Sequence, residues 1–130
     1  MKHSFVRYQL PAILWAIVIF VSSSIPSDRV PPFVLFKFDK LVHFGVYFLL
    51  AFFTYRAIRY QSRWPLLADH ALLFTVVLIA VYGATDEFHQ YFVPGRSADL
   101  FDLLADTLGA CLLVAAVWWK GRARPAAQAE

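Results

Sequence analysis

Apolar side chains crowd into four stretches of the chain, separated by short polar breaks. The stretches run over about Tyr8–Ser24, Leu41–Ile58, Leu66–Tyr82 with a polar extension to Gln90, and Asp99–Trp119. Each is near the roughly 20 residues that carry a helix across a bilayer. Strands are a poor alternative, because an open sheet edge cannot sit in lipid and an eight-stranded barrel needs more chain. The pattern predicts an all-α, polytopic membrane bundle of about four transmembrane helices, near 8–24, 41–58, 66–88 and 99–119. They form one domain over 1–120, with 121–130 as a disordered cytoplasmic tail. The first stretch has a rival reading as a cleaved signal peptide, with Lys2 and Arg7 before an apolar core and Ser22-Ser23-Ser24 after it. Cleavage leaves the later topology unchanged.

The breaks differ in kind. Ile25–Asp39 is proline-rich; Pro31-Pro32 favours an extended path, and Phe33, Val34, Leu35, Phe36 and Phe38 are suited to an interface. Arg59–Pro65 is a short basic turn. Val93-Pro94-Gly95-Arg96-Ser97 is a tight turn broken by Pro and Gly.

Composition agrees with the pattern. The 130 residues are 60% hydrophobic and only 16% charged, against about 45–50% and 25% in soluble domains. Cys111 is the only cysteine, so neither an internal disulfide nor zinc-type cysteine spacing is possible. The distribution of the basic residues matters more than the net charge of +3. Lys2, Arg7, Arg56, Arg59, Arg63, Lys120, Arg122 and Arg124 fall on one side, and Arg29, Lys37, Lys40 and Arg96 on the other. By the positive-inside rule the first side is cytoplasmic, with both termini inside. Trp64, Trp118 and Trp119 stand where an inner aromatic belt belongs. The acidic residues lean the other way: Asp28, Asp39, Asp86, Glu87, Asp99, Asp102 and Asp106 fall outside, and only Asp69 and Glu130 inside.

That acidic bias points to a site. His43 and Tyr47 share a face of the second helix, after Asp39 and Lys40. Glu87 and Gln90 share a face of the third, and Gly83 one turn below allows close approach. Asp99, Asp102 and Asp106 form one stripe on the fourth, descending roughly 10 Å at 1.5 Å per residue. An ionised group in lipid costs at least about 2.5 kcal/mol, so Asp106 must face the bundle interior or a wet cavity. Plainer readings stand beside this one. Asp99 and Asp102 fit a helix N-terminus as caps and dipole partners. Arg96 fits a structural fork pairing with a carboxylate. His43 fits a satisfied core histidine, and Gln90 and Tyr47 fit interhelical hydrogen-bond glue. His89, two residues after Glu87, is an interfacial residue. A metal site is a further reading, on the convergence of His43, Glu87 and the three aspartates; no HExxH or similar ligand spacing is present, so neither a metal nor another cofactor is expected. Ser97 lacks the surroundings of a nucleophile elbow.

Three segments resemble the VanZ-like family of small bacterial membrane proteins. Asp39-Lys40-Leu41-Val42-His43-Phe44 with Tyr47 is similar to the family's D-K-x-x-H-F-x-x-Y segment. Glu87-x-x-Gln90 is similar to its E-x-x-Q pair. Pro94-Gly95-Arg96-x-x-Asp99-x-x-Asp102, with Gly109 beyond, is similar to its P-G-R-x-x-D-x-x-D…G stretch. Two positions depart: Asp106 stands where Asn is common, and Ala51 where Gly is frequent. The resemblance implies a multi-pass protein of the bacterial inner membrane and a cell-envelope role, with links to teicoplanin-type glycopeptide resistance. It implies no agreed reaction.

Two functional expectations follow. The chain binds an envelope lipid head group, a cell-wall precursor or a glycopeptide-related ligand at a carboxylate-rich site facing the periplasm or exterior. Alternatively, it is an enzyme of hydrolysis or group transfer on a lipid-linked phosphate. In that reading Glu87, Asp99, Asp102 and His43 are the catalytic candidates, and Arg96, Gln90, Tyr47, Asp106 and Asp39 hold the ligand. Membrane lipids are the expected partners, oligomers are compatible, and nothing calls for nucleic acid.

Overall fold

The computed structural model describes residues 5–30 and 38–122. Its α-helices are α1 (Leu10–Ser23), α2 (Asp39–Arg59), the short α3 (Pro65–Asp69), α4 (Ala71–Gln90) and α5 (Leu100–Arg122). A π-helical turn, Phe5–Gln9, leads into α1, and a 3₁₀ turn, Ser27–Arg29, follows it. No strand occurs among the described residues. Four segments have the length and apolarity to cross a membrane: Phe5–Ser23, Asp39–Arg59, Ala71–Gln90 and Leu100–Gly121. The expected all-helical membrane architecture is therefore present.

Boundaries shift for local reasons. The third apolar stretch divides at His70, where φ −106° and ψ 29° leave helical space. Pro65 opens α3 at a position where its missing N–H costs nothing. The fourth helix continues past Trp119 to Arg122. The Pro31-Pro32 path, the side chains of Phe33–Phe36 and the tail 123–130 lie outside the described residues.

Alternating helix directions bring the end of α1, the start of α2, the end of α4 and the start of α5 together at one end of the bundle. Lys40 of α2 meets Asp99 before α5 there, and Ser27 N donates to Pro94 O at 3.2 Å. Gly95 takes φ +72° in the α4–α5 turn, a conformation side-chain-bearing residues rarely adopt. At the opposite end Gln9 donates to Ala57 O at 3.2 Å.

α2, α4 and α5 form the tight unit. A Cβ on Gly109 of α5 would lie 2.6 Å from Phe44 O and 2.9 Å from Phe48 N of α2. The two backbones thus approach as small residues permit in membrane bundles. Tyr47, Leu50, Ala51, Ile79, Ala110 and Leu113 fill the core, with Ile19 reaching in from α1. α1 itself is peripheral, with Ile19 and Ser23 its only buried residues. Trp15 Nε1 donates to Val46 O at 3.0 Å and Tyr82 OH to Ala16 O at 2.6 Å, tying α1 to α2 and α4.

The burial pattern inverts that of a water-soluble protein. Leu73, Leu108 and Phe101 are more than half exposed, whereas Asp102, Asp86 and Asp106 are 5%, 5% and 0% exposed. Lipid solvates the first set, and the bundle interior must satisfy the second.

Candidate functional site

The end where α1, α2, α4 and α5 converge gathers the polar positions expected from the sequence. They arrange themselves in two layers.

The outer layer centres on Lys40 in the first turn of α2. Its ammonium donates to Asp99 Oδ2 at 2.6 Å and Asp102 Oδ1 at 2.5 Å, and lies 3.9 Å from Asp39 Oδ2. Asp99 is also the cap of α5. Its Oδ1 accepts from Phe101 N at 2.8 Å, satisfying a helix-end donor. Asp99 thus takes the cap role, but Asp102 does not: it is buried and neutralised by Lys40. The Lys40 hydrogen bond, then that from Phe101 N, hold the Asp99 carboxyl below the ordinary carboxylate range.

The inner layer lies one to two turns deeper. His43 Nδ1 and Asp106 Oδ1 are 3.0 Å apart. His43 Nε2 is 4.0 Å from Asp39 Oδ1, linking the layers. Tyr47 OH donates to Asp86 Oδ2 at 3.0 Å, and Gln90 Nε2 to the same oxygen at 3.3 Å. The His43 and Tyr47 rings stack nearly parallel, 6.2 Å between centroids. Glu87 Oε2 accepts from Asp99 N at 2.7 Å, joining α4 to the start of α5. Among the described residues three buried carboxylate oxygens have no hydrogen-bond partner: Asp86 Oδ1, Glu87 Oε1 and Asp106 Oδ2. Gly83 makes room for the last, since a Cβ there would lie 2.9 Å from Asp106 Oδ2.

Eight of the nine site positions named from sequence join this network: Asp39, His43, Tyr47, Glu87, Gln90, Asp99, Asp102 and Asp106. Arg96 does not. Its Nε donates to Ile25 O at 3.2 Å, and it makes no ion pair with a carboxylate among the described residues. The fork expected across the hairpin instead ties the α4–α5 turn to the segment after α1. His89 stacks on Phe20, ring centroids 4.6 Å apart, which agrees with a place at the bundle's flank.

Lys40 and Asp86 were not among those nine positions. Lys40 lies inside the D-K-x-x-H-F segment, and a lone lysine amid acidic residues at a helix start is a signal in itself. Asp86 stands four residues before Gln90, and that spacing was available.

A cavity of about 470 Å³ opens between α1, α2 and α4 beside this network. One wall is apolar, with Trp15, Val18, Ile19 and Val46. Another part of the lining is polar and of mixed charge, with Arg29, Arg96, Asp39, His43, Asp86 and Gln90. Because α1 is loosely packed, the cavity's apolar flank borders the least tightly held helix of the bundle.

No solved structure matches the chain. A protein of Schizosaccharomyces pombe, "Uncharacterized protein C11E3.10", is 36% identical over 75 residues, which are 57% of this chain and 43% of that relative. The aligned part of the chain thus spans less than half of the relative's length. The VanZ/LLP1 family model matches residues 8–121, from the turn before α1 through all four apolar spans. With that match over most of its length, and four helices apolar enough for lipid, the chain is a multi-pass membrane protein belonging to the VanZ/LLP1 family.

Proposed function

We propose that the protein binds a membrane-lipid head group at this polar end, with the lipid's acyl part along the apolar wall beside α1. The observation that carries this reading is the cavity's two-sided lining. An amphiphile needs an apolar flank and a polar head site in continuity, as lipid-facing pockets provide. Arg29 and Arg96 suit a phosphate, and Asp39 and Asp86 suit an amine or hydroxyl on the same head group. A glycopeptide is far larger than about 470 Å³, which favours the lipid among the ligands considered. The positive-inside asymmetry supports an orientation with the polar end away from the cytoplasm, in a plasma-type membrane.

The test is native mass spectrometry of the protein purified from membranes and exchanged into defined lipids. A phosphate- and amine-bearing phospholipid should be retained over neutral diacylglycerol. Filling the cavity with Ile19→Trp or Val46→Trp should remove that preference. Equal retention of both lipids, or no change in the filled variants, overturns the reading.

A catalytic reading draws on one specific feature, the His43–Asp106 pair beside Glu87. A carboxylate that orients an imidazole is a general-base arrangement, and Glu87 is a second proton-transfer group. Hydrolysis or group transfer on a lipid-linked phosphate should then yield product in the same spectra. It should vanish in Glu87→Gln while the lipid stays bound. Unchanged lipid in the wild type excludes turnover.

A further inference from the structure

The outer layer sets a lysine among its carboxylates; the inner layer sets three buried carboxylates around a single histidine. Lys40 is committed to Asp99 and Asp102. Beneath it, Asp86, Glu87 and Asp106 are 5%, 6% and 0% exposed, and His43 is the only basic side chain paired with any of them among the described residues. Buried carboxylates with oxygens facing no donor are costly, and a charge of opposite sign is the usual remedy.

One ring nitrogen of His43, one oxygen of Glu87 and one of Asp106 lie within 4.8 Å of one another. Both carboxylates keep a buried oxygen without a partner. Asp106 Oδ2 points toward the gap at Gly83, one turn from Glu87 on the same helix face. The three ligands come from α2, α4 and α5, the tightly packed unit, so their supports are rigid.

We infer that His43, Glu87 and Asp106 form a binding site for a divalent transition cation, one ligand from each of three helices. An imidazole with two carboxylates suits zinc or manganese better than calcium, which prefers oxygen alone. Three protein ligands leave positions for water or a ligand oxygen, as open zinc sites do. At metal–ligand distances of about 2.0–2.2 Å, the three atoms would draw in from separations of up to 4.8 Å to close on one ion.

Untagged protein in nanodiscs is stripped with a chelator and dialysed against Zn²⁺. Bound metal is counted by plasma mass spectrometry and affinity is measured by competition with a chromophoric chelator. The expected result is one ion per chain, with affinity reduced tenfold or more in Glu87→Gln and in Asp106→Asn. Both substitutions keep side-chain shape, and helical content and size-exclusion profile establish that each variant is folded. Asp69→Asn, at the exposed opposite end beside His70, should bind as the wild type does. Zn²⁺ should raise the wild-type melting temperature and leave that of Glu87→Gln unmoved. Sub-stoichiometric metal in the wild type, or full affinity in folded Glu87→Gln, overturns the site. Lipid retention is read separately, so loss of metal and loss of lipid are distinct results.

Discussion

The two ends of the bundle carry opposite charges and treat them in opposite ways. At the end with Arg7, Arg56 and Arg63, cations rest on aromatic faces. Arg7 and Arg56 lie 5.5 and 5.3 Å from the Tyr8 ring, and Arg63 lies 5.0 Å from that of Trp64. Asp69 and His70 stand exposed beside them. At the other end Asp86, Asp102 and Asp106 are buried and interlocked with Lys40, His43 and Tyr47 across three helices. Charges of the first kind depend little on the packing between helices. Charges of the second kind exist only because the fold supplies partners.

The matched histidines break this comparison most sharply. His43→Leu leaves Asp106, fully buried, without its one partner. It should cost about 3–5 kcal/mol, the usual penalty for breaking a buried pair. His70→Leu, whose exposed wild-type ring pairs with Leu66 O at 3.1 Å, should stay within about 0.5 kcal/mol. Thermal or denaturant unfolding in detergent measures both, and equal losses would erase the distinction between the ends.

A second pair of substitutions probes the backbone approach beneath the acidic end. Gly109→Val drives a side chain into the α2 backbone and should cost about 1–3 kcal/mol or prevent assembly. Gly121→Val, with nothing within 4 Å, should melt with the wild type.

Charge removal gives the next effect in size. Lys40→Met takes the cation from between Asp99 and Asp102 while keeping the aliphatic stem. Lys40 is half exposed and Asp102 buried, so the cost should fall between the exposed and buried cases, about 1–2 kcal/mol. Arg63→Ala at the opposite end should lose no more than about 1 kcal/mol, an exposed cation–π contact. A larger loss for Arg63 than for Lys40 would reverse the ranking of the two ends.

The smallest effect is one of pH. The Asp99 carboxyl is lowered by Lys40 and Phe101 N. A depressed folded value contributes stability that is complete above the ordinary carboxylate pKa and is lost as pH falls through the lowered one. The melting temperatures of wild type and Asp99→Asn should therefore differ by a constant amount near neutrality and converge only in acid, below the usual carboxylate range. A difference that changes between pH 6 and 8 would assign the effect to another group.

Much of this was legible in the sequence. The apolar stretches located four spans, because a bilayer sets helix length and lipid tolerates no unpaired backbone. The spacing of Asp102 and Asp106 on one face announced a shared polar interior. The carboxylate partner expected for Arg96 was wrong, because its neighbours in sequence are carboxylates, whereas the chain after α1 brings the Ile25 carbonyl to its Nε at 3.2 Å. Asp86 was counted with the outer acidic residues but not with the site, because nothing on α4 alone says that Tyr47 of α2 will reach it.

By itself the sequence determined that the chain lives in lipid, how many times it can cross, and that its acidic groups collect toward one end. Those are properties of length, hydropathy and spacing along single helices. Which carboxylate receives Lys40, which keeps an oxygen without a donor, and where a cavity opens beside α1 were decided by tertiary packing. A hydrogen bond or ion pair forms over about 3 Å, and only helices brought as close as Gly109 allows place groups from different spans within that reach.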